Sequence, residues 1–229
     1  VTVAVVTGAG RGIGRATALA LAARGHHVAL LSRTLHEIDE TARLISELED
    51  APRAAPWVCD VSDARAVRAV AKEVERSLGV PTVLINNAGV VRRARLEEMS
   101  EADWDTVIDV NLKATFLVTG AFLPAMRAQR KGRIINVASI SATLGTAGQT
   151  AYNAAKWGVL GLTKSLAEEL RGSGVQVMAV LPGAVDTAML VGSGFPPQMT
   201  PDDVARTLVF AALDAPDAMN GSAIEVFGP

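Results

Sequence analysis

The chain has 229 residues, 49% of them hydrophobic and 20% charged, and a net charge of −2. That balance is ordinary for a globular protein able to bury roughly 70% of its unfolded surface, and it gives no reason to expect nucleic acid or an anionic membrane as the main partner. Cys59 stands alone, so no intrachain disulfide can form, and the usage suits a reducing compartment.

Val1–Val6 reads as a strand rather than the basic start of a signal peptide, and no run of 18 apolar residues is evident; a cytoplasmic location off the membrane is expected. The first strand, Val3–Thr7, runs into Thr7-Gly8-Ala9-Gly10-Arg11-Gly12-Ile13-Gly14, which opens a helix over about 12–24. Glycines at a strand-to-helix turn let the backbone approach a pyrophosphate, which the helix N-terminus then receives. Gly8, Gly10, Arg11, Gly12, Ile13 and Gly14 are therefore candidate dinucleotide ligands, although a tight connection alone would also explain the glycines.

Gly25 caps that helix, and the second strand, Val28–Ser32, ends at Ser32-Arg33. An NAD site places an acid here for the adenosine ribose hydroxyls; this chain offers Ser32 and two cations, Arg33 and Arg11. Guanidinium suits a 2′-phosphate by charge and geometry, so NADP(H) is expected in preference to NAD(H), which stays open.

Helices follow at about 35–49 and 63–78 with a strand between them at Ala55–Cys59, then a strand at Thr82–Asn86 and a long helix at about 101–129. Strands at Arg133–Ala138, Gln176–Leu181 and Ala223–Phe227 alternate with helices at about 150–172 and 202–214, the latter started by Thr200-Pro201-Asp202-Asp203. The strands lack strict polar alternation, as expected where helices cover both faces. The pattern predicts a single α/β domain over 1–229: a doubly wound Rossmann fold, a seven-stranded parallel sheet with helices on both faces. His26, His27 and His36 read as surface residues, with no metal site expected.

Tyr152 and Lys156, one helical turn apart, leave the same face. An ammonium close to a phenol favours the phenolate and should lower the tyrosine pKa from its usual ~10. Alone this spacing is common; with Ser139 thirteen positions ahead and the glycine turn upstream, it resembles the short-chain dehydrogenase/reductase family over essentially the whole chain, with the pattern of 3-oxoacyl-carrier-protein reductases.

The resemblance implies a catalytic set of Asn111, Ser139, Tyr152 and Lys156: Tyr152 the acid, Ser139 holding the substrate oxygen, Lys156 on the nicotinamide ribose, and Asn111 holding a water that relays protons. It also implies that Asp60, with Val61 beside it, meets the adenine, and that Asn87, Ala88 and Gly89 border the cofactor. Pro182, Gly183, Val185 and Thr187 would close over the nicotinamide, followed by a short substrate lid at about 188–200. Family analogy adds a homotetramer and a carbonyl or alcohol substrate. Arg127, Arg130, Lys131 and Arg133 could dock an acidic carrier protein or simply place charge at a helix C-terminus; Arg92, Arg93 and Arg95 could meet an anionic substrate or simply be solvated.

Overall fold

The computed structural model describes residues 2–228; Val1 and Pro229, the ends of the expected domain, lie outside the described residues. Seven strands form one parallel sheet: β1 (Val3–Thr7), β2 (His27–Ser32), β3 (Ala54–Val58), β4 (Val83–Asn86), β5 (Gly132–Val137), β6 (Val175–Pro182) and β7 (Ala223–Val226). Their order is β3-β2-β1-β4-β5-β6-β7, so the winding reverses between β1 and β4. Successive residues of each strand face opposite layers. Ala4 and Val6 pack toward α1 (Gly12–Ala23), α2 (Leu35–Ser46) and α7 (Pro201–Val209). Val5 packs toward α3 (Ala64–Leu78), α5 (Ala114–Ala128) and α6 (Thr150–Glu169). Two apolar faces explain why the strands read as unbroken runs.

Sequence signals set several boundaries. Asp63 caps α3 by accepting from the Arg65 and Ala66 amides, and Thr200 with Asp203 forms a reciprocal capping box at α7. Two of the expected helices end about three residues early, at Ser46 and Glu169. Cys59 lies just past β3 instead of inside it; it is buried, and burial pushes its thiol up to about 11.

The long helix expected at 101–129 is interrupted. It consists of α4 (Glu101–Ile108), a π-helical turn at Asp109–Lys113, and α5. Contrary to expectation, the run Glu101–Ala128 is apolar and long enough to cross a membrane by length and composition alone. In this fold it is a core helix, with Phe122 and Met126 fully buried against the sheet. His26 also departs from the surface reading. It is buried and shares a 2.9 Å hydrogen bond with Thr2 Oγ1, and desolvation holds its imidazole below the ordinary pKa.

A chain of buried polar groups crosses the sheet. Asn86 Nδ2 donates to Thr119 Oγ1 (2.9 Å) and to Asn136 Oδ1 (2.8 Å), and Asn136 Nδ2 donates to Thr163 Oγ1 (2.9 Å). The two asparagines are register partners on β4 and β5, so the network ties the sheet to α5 and α6. Asn136→Leu keeps the volume and leaves one Asn86 N–H without an acceptor, while Thr163 keeps its bond to the Val159 carbonyl. The expected loss is about 1–3 kcal/mol, measured as a lower urea midpoint with unchanged far-UV circular dichroism.

Candidate active site

The reversal between β1 and β4 opens a crevice at their C-terminal ends, where doubly wound sheets bind ligands. Side-chain bonds stitch its two banks together. The Thr7 hydroxyl accepts from the Asn87 and Ala88 amides at 2.9 and 3.0 Å, and Asn87 Nδ2 donates to the Thr7 carbonyl at 2.9 Å. Gly8 takes φ +65° and Gly12 φ +52°, values that favour glycine. A Cβ on Gly14 would overlap the Gly8 carbonyl, so α1 can start this close to β1 only without one. The N-terminus of α1 has no side-chain cap and no acid in its first turn, which leaves its amides facing the crevice.

Ser32, Arg33, Asp60 and Val61, expected from the sequence to meet the adenosine, line one end of the cleft. Asp60 Oδ1 accepts from the Ser62 amide and hydroxyl; those bonds, and then the Arg33 charge, hold its carboxyl below the usual range. Glu37 is a residue the sequence reading missed. It sits in the first turn of α2, lines the same crevice and pairs with Arg11 at 3.5 Å. Only the tertiary approach of α2 to the glycine turn makes this pair, so no local spacing could announce it.

The expected catalytic side chains meet at the other end. Ser139 follows β5 and Tyr152 lies in the first turn of α6, with both side chains largely buried. Lys156 is only 4% exposed; its Nζ donates to the Val137 carbonyl at 2.9 Å and lies 5.5 Å from the centre of the Tyr152 ring. Burial lowers the Lys156 ammonium to about 8. The Tyr152 phenol moves opposite to the expected lowering. Burial raises it, while the Ser139 hydroxyl and the Arg93 charge pull it back without cancelling the rise. Desolvation of a phenolate outweighs both, and the Lys156 ammonium is not among the groups that lower it.

Asn111 is in the π-helical turn, where its Nδ2 donates to the Val90 and Val107 carbonyls at 2.8 and 2.9 Å. Its buried Oδ1 has no partner. A Cβ on Gly89 would fall 2.8 Å from that oxygen and 3.8 Å from Lys156 Nζ, so glycine keeps open a gap onto which both groups face.

Apart from Gly14 and Asn111, which pack behind Gly8 and Gly89, every site residue expected from the sequence lines one cleft of about 930 Å³. Pro182, Gly183, Val185 and Thr187 form its far wall, and Thr187 Cγ2 would lie 3.2 Å from a Cβ on Gly12. The basic cluster at 127–133 lies elsewhere. Arg133 is the second residue of β5, at the end of the strand opposite Ser139, and pairs with Asp217, while Arg130 bonds the Gly172 carbonyl. Among the described residues no group of three or more His, Cys, Asp or Glu is placed to hold a metal ion.

The uncapped helix start, the glycine turn without Cβ atoms and Arg33 fit a nicotinamide dinucleotide in donor chemistry and in shape. Comparison with known proteins agrees. Residues 2–194 match the model of the short chain dehydrogenase family. The chain is 38% identical to a 3-oxoacyl-[acyl-carrier-protein] reductase of Thermotoga maritima, covering 99% of this chain and 96% of that protein. It is 39% identical to a human (3R)-3-hydroxyacyl-CoA dehydrogenase, covering 98% and 94%. Among solved structures it superposes on levodione reductase with a TM-score of 0.93 at 28% identity, covering 98% and 95% of the two chains. A structure described as a short-chain alcohol dehydrogenase of Sinorhizobium meliloti gives 0.92 at 33% identity, covering 99% and 95%. The chain belongs to the short-chain dehydrogenase/reductase family and is an oxidoreductase of that family.

Proposed function

We propose that the protein transfers hydride between NADP(H) and a carbonyl or secondary alcohol, with a 3-oxoacyl thioester or related ketone as substrate. The observation that carries this reading is the meeting of Ser139, Tyr152 and Lys156 at one end of a cleft whose other end holds Arg33. Among the described residues Arg33 has no ion-pair partner, whereas Arg11 is matched by Glu37; recognition of a 2′-phosphate therefore falls chiefly on Arg33. The glycine turn and the start of α1 would hold the pyrophosphate, and Thr187 the nicotinamide end. The bound nucleotide supplies or accepts the hydride.

The side chains supply the proton chemistry. Burial keeps Tyr152 protonated at neutral pH, so in reduction it donates its proton to the carbonyl oxygen. The Ser139 hydroxyl holds that oxygen while charge develops on it. Lys156, fixed by the Val137 carbonyl, then stabilises the phenolate. The unpartnered Oδ1 of Asn111 faces the same gap as Lys156 Nζ and suits an acceptor in a proton path from solvent. In the oxidising direction the same groups run in reverse.

The names of the Thermotoga and human relatives support an acyl thioester substrate. A carrier protein would have to approach by a face other than the 127–133 cluster, which lies at the wrong end of the sheet. A single catalytic unit over 1–229, a cytoplasmic setting and a homotetramer built on α5, α6 and β7 complete the reading. Phe116 and Trp157, exposed on α5 and α6, support such an assembly.

Three tests follow the chemistry. Tyr152→Phe should lower kcat by about 10²–10⁴-fold, with the NADPH dissociation constant from fluorescence titration nearly unchanged. Arg33→Asp should invert the ratio of kcat/KM for NADPH over NADH; equal values in the unmodified protein would defeat the NADP(H) assignment. Lys156 is an ammonium below about pH 8 and neutral above it. The kcat/KM for NADPH in carbonyl reduction should therefore fall as pH rises through about 8, and Lys156→Met should erase that step.

A further inference from the structure

Three arginines follow Gly89, and the structure separates them. Arg92 pairs with Asp103 at 3.2 Å and Arg95 with Glu97 at 2.8 Å. Among the described residues Arg93 has no acidic partner. Instead, Nη2 donates to the Met189 carbonyl at 2.8 Å and Nη1 to the Val191 carbonyl at 3.3 Å, both in the expected lid. Carbonyl acceptors orient a guanidinium without neutralising it, and Nε and one hydrogen on each terminal nitrogen remain available.

The surroundings reinforce that charge. Arg93 lines the catalytic end of the cleft, and its charge is felt at the Tyr152 phenol. The only carboxylates lining the cleft among the described residues, Glu37 and Asp60, stand at the adenosine end. The wall beside Arg93 is built by Leu144, Met189, Leu190 and Phe195, apolar side chains at the open rim of the cleft that offer an anion no competing polar partner. A fixed, uncompensated cation on an apolar wall beside the proton donor is a recognition point for an anion.

We propose that Arg93 is a specificity-determining residue that selects carbonyl substrates carrying a carboxylate, which its lid-anchored guanidinium binds while the ketone reaches Ser139 and Tyr152. This rests on the carbonyl chemistry proposed above and takes its related-ketone branch, a keto acid, in place of the thioester. It places substrate choice in a contact between the loop after β4 and the lid, rather than in the catalytic side chains.

The test compares kcat/KM for acetoacetate and levulinate with kcat/KM for their methyl esters, which differ in charge at nearly constant shape. The unmodified protein should prefer the acids, and Arg93→Met should cut the acid-to-ester ratio about tenfold or more, mainly through KM for the acid. Arg93→Lys, which keeps the charge without the fork, should retain part of it. In the unmodified protein the ratio should also fall as salt is raised, a result that needs no variant to fold. Preference for the esters, or a ratio untouched by both salt and Arg93→Met, overturns the inference while leaving the reductase reading standing. Absence of turnover with any carbonyl compound overturns the reading instead. Calorimetric titration with hexanoate and hexanamide then still decides the anion preference: tighter hexanoate binding lost in Arg93→Met supports it, and equal binding refutes it.

Discussion

A buried ammonium fixes the working end of this molecule. Lys156 is almost fully enclosed, and its Nζ donates to the carbonyl of Val137, the last residue of β5. A charge taken so far out of water is tolerable only with a well-placed acceptor and with a pKa low enough to share the proton. That single bond locks the first turns of α6 against the end of β5. Tyr152 is thereby held beside Ser139, which follows the same strand. The position of Tyr152 depends on the sheet, not on the loops around it.

The same economy governs the nucleotide end. Thr7, at the end of β1, receives the amides of Asn87 and Ala88 from the end of β4, so the two loops flanking the winding reversal move as one piece. Behind them Asn86 and Asn136 carry the polar ladder across the sheet into α5 and α6. A dinucleotide spanning the crevice would therefore meet a floor rigid over its whole length. The wall from Ala188 onward is built from turns as well, and its two bonds to Arg93 tie it to the loop after β4.

Much of this was legible in the chain. Seven apolar runs separated by helical periodicity gave the sheet: the inner strands are buried on both faces and so apolar at nearly every position, while the edge strands β3 and β7 are only partly covered. Gly8, Gly12 and Gly14 marked the crevice because backbone geometry there forbids a side chain. Other features depend on where distant segments meet. Glu37 reaches Arg11 only once α2 is packed, and the upward shift of Tyr152 follows from its burial, which a Tyr–Lys spacing does not encode. The π-helical turn at Asp109–Lys113 interrupts a segment whose apolar pattern continues straight through it. The basic run at 127–133 is equally readable as a docking surface or as charge at a helix end, and only the direction of β5 places it at the end of the sheet opposite Ser139.

Tyr152 is the only tyrosine in the chain. A phenolate absorbs at longer wavelength than a phenol, so the tyrosinate signal of the folded protein in alkali comes from one oxygen in the cleft, unmixed with any other residue. The three tryptophans contribute a background that does not ionise over that range. The fold thus carries its own indicator dye, and whatever enters the cleft beside Ser139 can be followed by the colour of the residue that would protonate it.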